Sequence, residues 1–222
     1  LLMGVDINTG TGWPFGGPQV SVENAATKII LQQYKISGGQ GLKDKIMVND
    51  SNQLKAGTKL QALMAYDEKG KVLDLTRDVR PDGTLTRLPA KGNWTLYATF
   101  CGKTLQKVKR SAPGGEGYTL DHLSLRAVDQ YLSRFDSAFG SKQPGIRRLF
   151  NDSYEVYNAS WTPLFFEEFI NRRGYDLKRY IRELNGAGDP EIVARVKYDY
   201  RHTMSEMLLD HFTAQWTRWA HD

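Results

Sequence analysis

An α/β fold is what the sequence predicts, on three observations. The run Leu1-Leu2-Met3-Gly4-Val5-Asp6-Ile7 reads as a buried strand that opens into a loop dense in breakers. A middle region alternates apolar and polar residues with period 2, the signature of half-buried antiparallel strands. Beyond Gln106 the pattern becomes strand, loop and helix in turn, the repeating unit of parallel α/β folds.

The first loop, Asn8–Pro18, carries four glycines and two prolines in eleven positions, so no helix can run through it. Residues 21–106 read as an antiparallel β-rich module. Leu60, Ala62, Met64 and Tyr66 alternate on one predicted strand and Trp94, Leu96, Ala98 and Phe100 on another, while Asp67-Glu68-Lys69-Gly70 and Arg80-Pro81-Asp82-Gly83 supply turn residues. Lys107–Arg110 predicts a short strand, and Leu125, Val128, Leu132 and Phe135 share one face of a helix over 124–139. Ile146–Asn151 predicts another strand. Thr162-Pro163 suits an N-cap followed by proline, Gly174 a helix stop, and Asp176 and Gly186 the two ends of a shorter helix. Asp189-Pro190 opens the last helix. There Ile192, Val196, Tyr200, Met204, Met207, Leu208, Phe212, Trp216 and Trp219 recur at helical spacing, a stripe expected to pack in a core.

Composition sets the outer limits. Of 222 residues 40% are hydrophobic and 25% charged, which provides enough apolar material for a core and argues against disorder. No apolar run approaches the roughly 20 residues of a membrane-spanning helix. The single cysteine, Cys101, permits no intrachain disulfide. The net charge of +5 is dispersed; the densest basic stretch, 171–182, holds five cations and one acid and reads as a solvated helix face rather than a phosphate track, so no nucleic-acid or membrane partner is expected.

In parallel α/β folds chemistry collects at the carboxyl ends of the strands, which directs attention to loops 8–18, 111–122 and 152–161. In the third, Asn151-Asp152-Ser153-Tyr154-Glu155 places two carboxylates behind an apolar strand. They converge as an acid/base pair only if the strand stops near Asp152 and the chain turns; otherwise Asp152 caps a turn and Glu155 faces solvent. Trp13 and Phe15 suit a flat apolar platform for a sugar ring or a base, with a Trp plugging a barrel end as the alternative. Asp121-His122 suits either hydroxyl or metal binding or a simple cap. The remaining histidines do not help: His202 and His211 are nine residues apart and half a turn out of phase, and His221 is terminal. A phosphate-binding loop and a serine-nucleophile elbow are both missing from the sequence.

Four segments are recognisable together: Asp6–Pro18; Val108–Gly117 with Leu120-Asp121-His122; Asn151–Glu155; and Arg173-Gly174-Tyr175-Asp176-Leu177. In this order they resemble the α-L-rhamnosidases of glycoside hydrolase family 106. The resemblance implies a partial (β/α)8 TIM-type barrel with an inserted antiparallel β module. Residues 1–20 would supply a barrel strand and active-site loop, 21–106 the insertion, and 107–222 further strand-loop-helix units. It implies hydrolysis of terminal α-L-rhamnosyl linkages in plant polysaccharides or glycosides with inversion, Glu155 as general acid, Asp152 as its companion, and a general base outside this chain. It further implies Asn8, Trp13, Arg110, Glu116, Asp121 and His122 as a sugar-facing wall, calcium near the sugar hydroxyls, and a periplasmic or secreted bacterial protein. The competing expectation is a non-catalytic carbohydrate-binding module built on the aromatic and glycine-rich loop. Setting aside the insertion leaves about 135 residues, against about 250 for a complete barrel, so the sequence reads as part of a larger catalytic domain whose remainder would be its partner.

Overall fold

The structure, a computed structural model, describes residues 4–37, 41–87, 89, 92–140, 145–151 and 154–221. In chain order the elements are strands β1 (Val5–Asn8), β2 (Gly16–Gly17) and β3 (Thr27–Ile36), helix α1 (Ser51–Lys55), and strands β4 (Lys59–Asp67), β5 (Val72–Asp74), β6 (Trp94–Lys103) and β7 (Tyr118–Thr119). Helix α2 (Leu125–Phe139), strand β8 (Ile146–Phe150), and helices α3 (Phe165–Arg173), α4 (Ile181–Leu184) and α5 (Pro190–Met207) follow. A π-helical stretch, Leu208–Thr213, joins α5 to α6 (Ala214–His221). Two compact units result: residues 1–28, 103–162 and 204–222 in one, 29–102 and 163–203 in the other.

The first unit carries the parallel pair expected of an α/β chain. β1 runs beside β8 with Asp6 opposite Arg148, Ile7 opposite Leu149 and Asn8 opposite Phe150. Arg147 grips the Asp6 carboxylate with both arms of its guanidinium, at 2.9 and 2.7 Å. The strand is not buried as its apolar run suggests: Val5 is 56% exposed, opposite an Ile146 that is itself only half-buried. Helix α2 starts on Ser124, whose Oγ accepts from the Ala127 amide, and buries Ala127, Val128, Tyr131 and Leu132. Against that face pack Phe15, Val20, Leu120 and Phe212, with Trp216 and Trp219 at the margin. Among the described residues two parallel strands make the unit α/β without supplying the strand set of a closed barrel.

Two expectations fail here for physical reasons. Phe15 forms no platform with Trp13; it is 1% exposed, stacked 5.5 Å from Tyr131 and edge-on 5.1 Å from Phe212. Lys107–Arg110 forms no strand either. Lys107 and Lys109 make isolated bridges to Tyr118 and Trp13, and Arg110 turns the chain away with φ +53°.

The second unit is built on a four-stranded sheet in the order β3-β6-β4-β5, with β4 antiparallel to both neighbours. β6 keeps the expected alternation, burying Trp94, Leu96, Ala98 and Phe100 in one core. β4 does not. Leu60 pairs with Phe100, but Gln61 is extra, so Ala62 pairs with Thr99 and Leu63 with Ala98, and the core face passes from Leu60 to Leu63 and Ala65. One bulged residue inverts the parity of everything after it.

The helical part of this unit follows its stop signals more closely than its start signals. α3 ends on Gly174, left-handed at φ +77°, whose amide bonds the Ile170 carbonyl. It begins, however, on Leu164 without a side-chain cap, since the Thr162 hydroxyl is engaged elsewhere. Asp176 caps a 3-10 turn before α4, and the Asp189 carboxylate accepts from the amides of Glu191 and Ile192 at the start of α5. Val196 is buried and Tyr200 packs 5.2 Å from Phe165, whereas Ile192 stands exposed at the beginning of the stripe.

Because Phe15 fills the first core, Phe15→Ala is expected to destabilise the protein by about 3–5 kcal/mol in denaturant unfolding. A platform residue would lower ligand affinity and leave the unfolding midpoint nearly unchanged.

Candidate active site

The site is assembled from two backbone segments in contact. The Trp13 amide bonds the Lys109 carbonyl at 2.9 Å and the Lys109 amide bonds the Trp13 carbonyl at 2.8 Å. A Cβ at Gly12 would lie 2.5 Å from the Lys109 carbonyl oxygen, so glycine is what permits the approach. This register places the half-buried Trp13 beside exposed Arg110, whose guanidinium carbon lies 5.0 Å from the indole centroid.

Glu155 belongs to the same surface. Gln106 clamps its loop twice, the side-chain amide donating to the Glu155 carbonyl at 2.6 Å and the side-chain oxygen accepting from the Tyr157 amide at 2.7 Å. The Tyr157 hydroxyl donates to the half-buried Glu155 carboxylate at 3.3 Å, and Lys109 Nζ sits 4.4 Å above the Tyr157 ring. A chain of direct contacts thus runs from Trp13 through Lys109 and Tyr157 to Glu155. Asp152, the expected companion, lies outside the described residues. Asn8 ends β1 with its side chain turned back on the Gly10 amide at 2.8 Å. Glu116 is exposed and makes no hydrogen bond or ion pair among the described residues.

Asp121 and His122 lie behind this surface rather than on it, 3% and 2% exposed. One Asp121 oxygen accepts from the Thr162 hydroxyl at 2.9 Å and the other from the Leu123 amide at 3.1 Å. Thr27 Oγ1 is 3.4 Å away with its proton directed at the Trp161 carbonyl, so it can accept from a protonated Asp121. Burial pushes the Asp121 pKa from 3.8 up to about 7, against the bonds from Thr162 and Leu123 and the nearby Lys103 charge. His122 Nδ1 faces the Leu120 carbonyl at 2.8 Å and therefore carries the proton, leaving Nε2 a bare acceptor without a partner among the described residues. Burial pushes its pKa from 6.5 down to about 4. Its ring meets Tyr154 edge-on at 5.0 Å, so the pair supports the Glu155 loop from beneath.

Gln106, Tyr157 and Thr162 join these groups without being candidates in the sequence. Only Tyr157, two positions beyond Glu155, carried a local signal. Among the described residues no three of His, Cys, Asp and Glu converge as metal ligands. A cleft of about 480 Å³ runs along β1, β8 and α6, lined by Asp6, Arg147, Arg148, Phe150, Trp216 and His221 among others, but none of the expected site residues lines it. No helix among the described residues is long and apolar enough to cross a membrane.

The buried pair sets a pH signature. The raised Asp121 pKa contributes stability below 3.8 that is lost as pH rises towards about 7; the depressed His122 pKa contributes stability above 6.5 that is lost as pH falls towards about 4. Between these limits unfolding releases a proton from Asp121 and takes one up on His122, and the two slopes cancel. Relative to wild type, Asp121→Asn is expected to make stability rise with pH by up to about 1.4 kcal/mol per unit from pH 4.5 to 6.5, and His122→Gln to make it fall by as much. Urea unfolding at both pH values checks the signs, and slopes equal to wild type would refute the assignment.

The profile of glycoside hydrolase family 106, described as alpha-L-rhamnosidase, matches residues 47–222. A Formosa agariphila protein named "Putative beta-glucuronidase" is 25% identical over 259 aligned residues, which take in 95% of this chain and 22% of that protein. The solved structure of a rhamnosidase from Novosphingobium sp. PP1Y is 30% identical, with a TM-score of 0.61 over 71% of this chain and 16% of that one. The chain spans well under two thirds of the length of either relative. By the extent of the profile match, this chain belongs to glycoside hydrolase family 106, the alpha-L-rhamnosidases.

Proposed function

We propose that this chain supplies the acid side of an inverting α-L-rhamnosidase, with Glu155 as the general acid that protonates the glycosidic oxygen of a terminal α-L-rhamnoside. The observation that carries this reading is the Glu155 carboxylate itself, on the loop after parallel strand β8, clamped by Gln106 and touched by the Tyr157 hydroxyl. As the C–O bond breaks, the acid proton passes to the leaving oxygen while water attacks the anomeric carbon from the opposite face. The general base that activates this water is assigned outside the chain, and Asp152 is the acid's companion by its place three residues before Glu155.

In this reading β1 and β8 are neighbouring strands of a (β/α)8 barrel, and Trp13 and Arg110 face the sugar. Asn8 and Glu116 stand on the same two loops and are kept as candidates. Asp121 and His122 support the wall from behind, in keeping with their burial. Calcium receives no ligand set from the described residues, and no step is routed through it. The family resemblance favours plant polysaccharides or glycosides as substrates and a periplasmic or secreted location.

Glu155→Gln in the complete gene product is expected to lower kcat/KM on an alkyl α-L-rhamnoside about 10²–10⁴-fold, and far less on a nitrophenyl rhamnoside, whose leaving group needs little protonation. An equal loss on both substrates would remove Glu155 from the acid role. Binding of rhamnosides without turnover by the wild type would favour a carbohydrate-binding function instead.

A further inference from the structure

Protonating a leaving oxygen is a demand on position. A general acid works only within hydrogen-bond reach of the atom it protonates, and a displacement of about 1 Å can cost about 10²-fold in rate. Glu155 stands on irregular backbone between β8 and α3, so whatever holds that backbone decides where its carboxyl group sits.

Gln106 holds it by its side chain alone. The side-chain amide donates to the Glu155 carbonyl at 2.6 Å and accepts from the Tyr157 amide at 2.7 Å, the main-chain groups just before and just after Val156. Those are the two groups that a parallel neighbouring strand would bond, and a primary amide offers the donor and the acceptor together. Val156 between them is buried, whereas Glu155 is half-buried and Tyr157 exposed. The clamp is itself rooted. The Gln106 amide donates to Thr104 Oγ1 at 3.2 Å, and the Gln106 carbonyl accepts at 3.0 Å from the amide of Thr119 in β7, whose partner is the glycine strand β2. Leu105, immediately before it, is left-handed at φ +58°, a backbone that a leucine keeps only where its surroundings impose it.

From this geometry we infer that Gln106 is a positioning residue for the general acid, setting the reach of the Glu155 carboxyl group to the glycosidic oxygen through the main chain of its loop. The inference rests on the assignment of Glu155 as the acid and deepens it by naming the residue that holds the acid in place.

The test measures kcat/KM in the complete gene product for wild type, Gln106→Met and Gln106→Glu, with Glu155→Gln alongside, on a methyl and on a nitrophenyl α-L-rhamnoside. Methionine is close to glutamine in length and makes neither bond; glutamate keeps an acceptor for the Tyr157 amide but sets a carboxylate oxygen against the Glu155 carbonyl. Both Gln106 variants are expected to lose about 10–100-fold on the methyl rhamnoside and about threefold or less on the nitrophenyl one, whose departure needs little protonation. A residue that only stabilised the fold would lower both rates alike. Because the two rates are compared on the same sample, a partly unfolded variant does not imitate the split. Equal losses on the two substrates in the Gln106 variants, or none, while Glu155→Gln shows the split, would overturn the positioning role and leave Glu155 as the acid. Equal losses on both in Glu155→Gln, or failure of the wild type to cleave any rhamnoside, would bring down the acid assignment and the positioning role with it.

Discussion

The constraint on which the first unit depends is the contact between two stretches of backbone, residues 9–17 and 107–119. Gly12 meets the Lys109 carbonyl, Gly16 the Tyr118 carbonyl and Gly117 the backbone of Gly17, each at a separation that leaves no room for a β-carbon. Only at this separation do the Trp13–Lys109 pair and the β2–β7 pair close. The consequences run in both directions along the chain. Phe15 is driven inward to become the centre of an aromatic core, and Trp13, two residues earlier, is left at the surface beside Arg110.

Helices fix what the glycines make possible. The Tyr131 hydroxyl of α2 lies 2.7 Å from the Thr9 carbonyl and 3.2 Å from that of Gly16, while the Trp216 indole of α6 donates to the Thr9 hydroxyl at 3.2 Å. The loop that looks most mobile by composition is therefore held at both ends by buried or half-buried aromatic donors. Asp121 performs the corresponding task for the second stretch, gathering the Thr162 hydroxyl and the Leu123 amide around one carboxyl group. A buried carboxylate without such partners would be costly; with them it joins segments far apart in sequence.

Local signals were legible where local chemistry decides. Ser124, Gly174, Asp176 and Asp189 sit at helix ends as their side chains or lack of one require, and β6 keeps its alternation because nothing interrupts its pairing. Misreadings occur where a distant partner wins. Thr162 looks like a cap but gives its hydroxyl to Asp121, 41 residues earlier. Gln61 leaves no composition signal as a bulge, since the extra residue is defined by register with β6. Phe15 and Trp13 have the same local context, and only the position of Tyr131 and Phe212 separates core from rim. In the site, the paired acidic residues and the glycine-rich loop were visible as motifs, whereas the Gln106 clamp was not, because an isolated glutamine carries no pattern until its two bonds are seen.

That clamp bears on how the Glu155 carboxylate and the Lys109 ammonium share one surface. Lys109 and Glu155 both meet the Tyr157 side chain. Tyr157 stands between them: its ring face holds the ammonium at 4.4 Å while its hydroxyl reaches the carboxylate at 3.3 Å. The Gln106 side-chain oxygen accepts from the Tyr157 backbone amide, so the loop that carries the ring is held at its main chain by one glutamine side chain. The phenol thus offers its ring face to the Lys109 ammonium and its hydroxyl to the Glu155 carboxylate. The arrangement requires an aromatic ring two residues past the glutamate and a lysine across from the loop tryptophan, and the close approach of the glycine-rich segments is what sets that lysine beside Trp13.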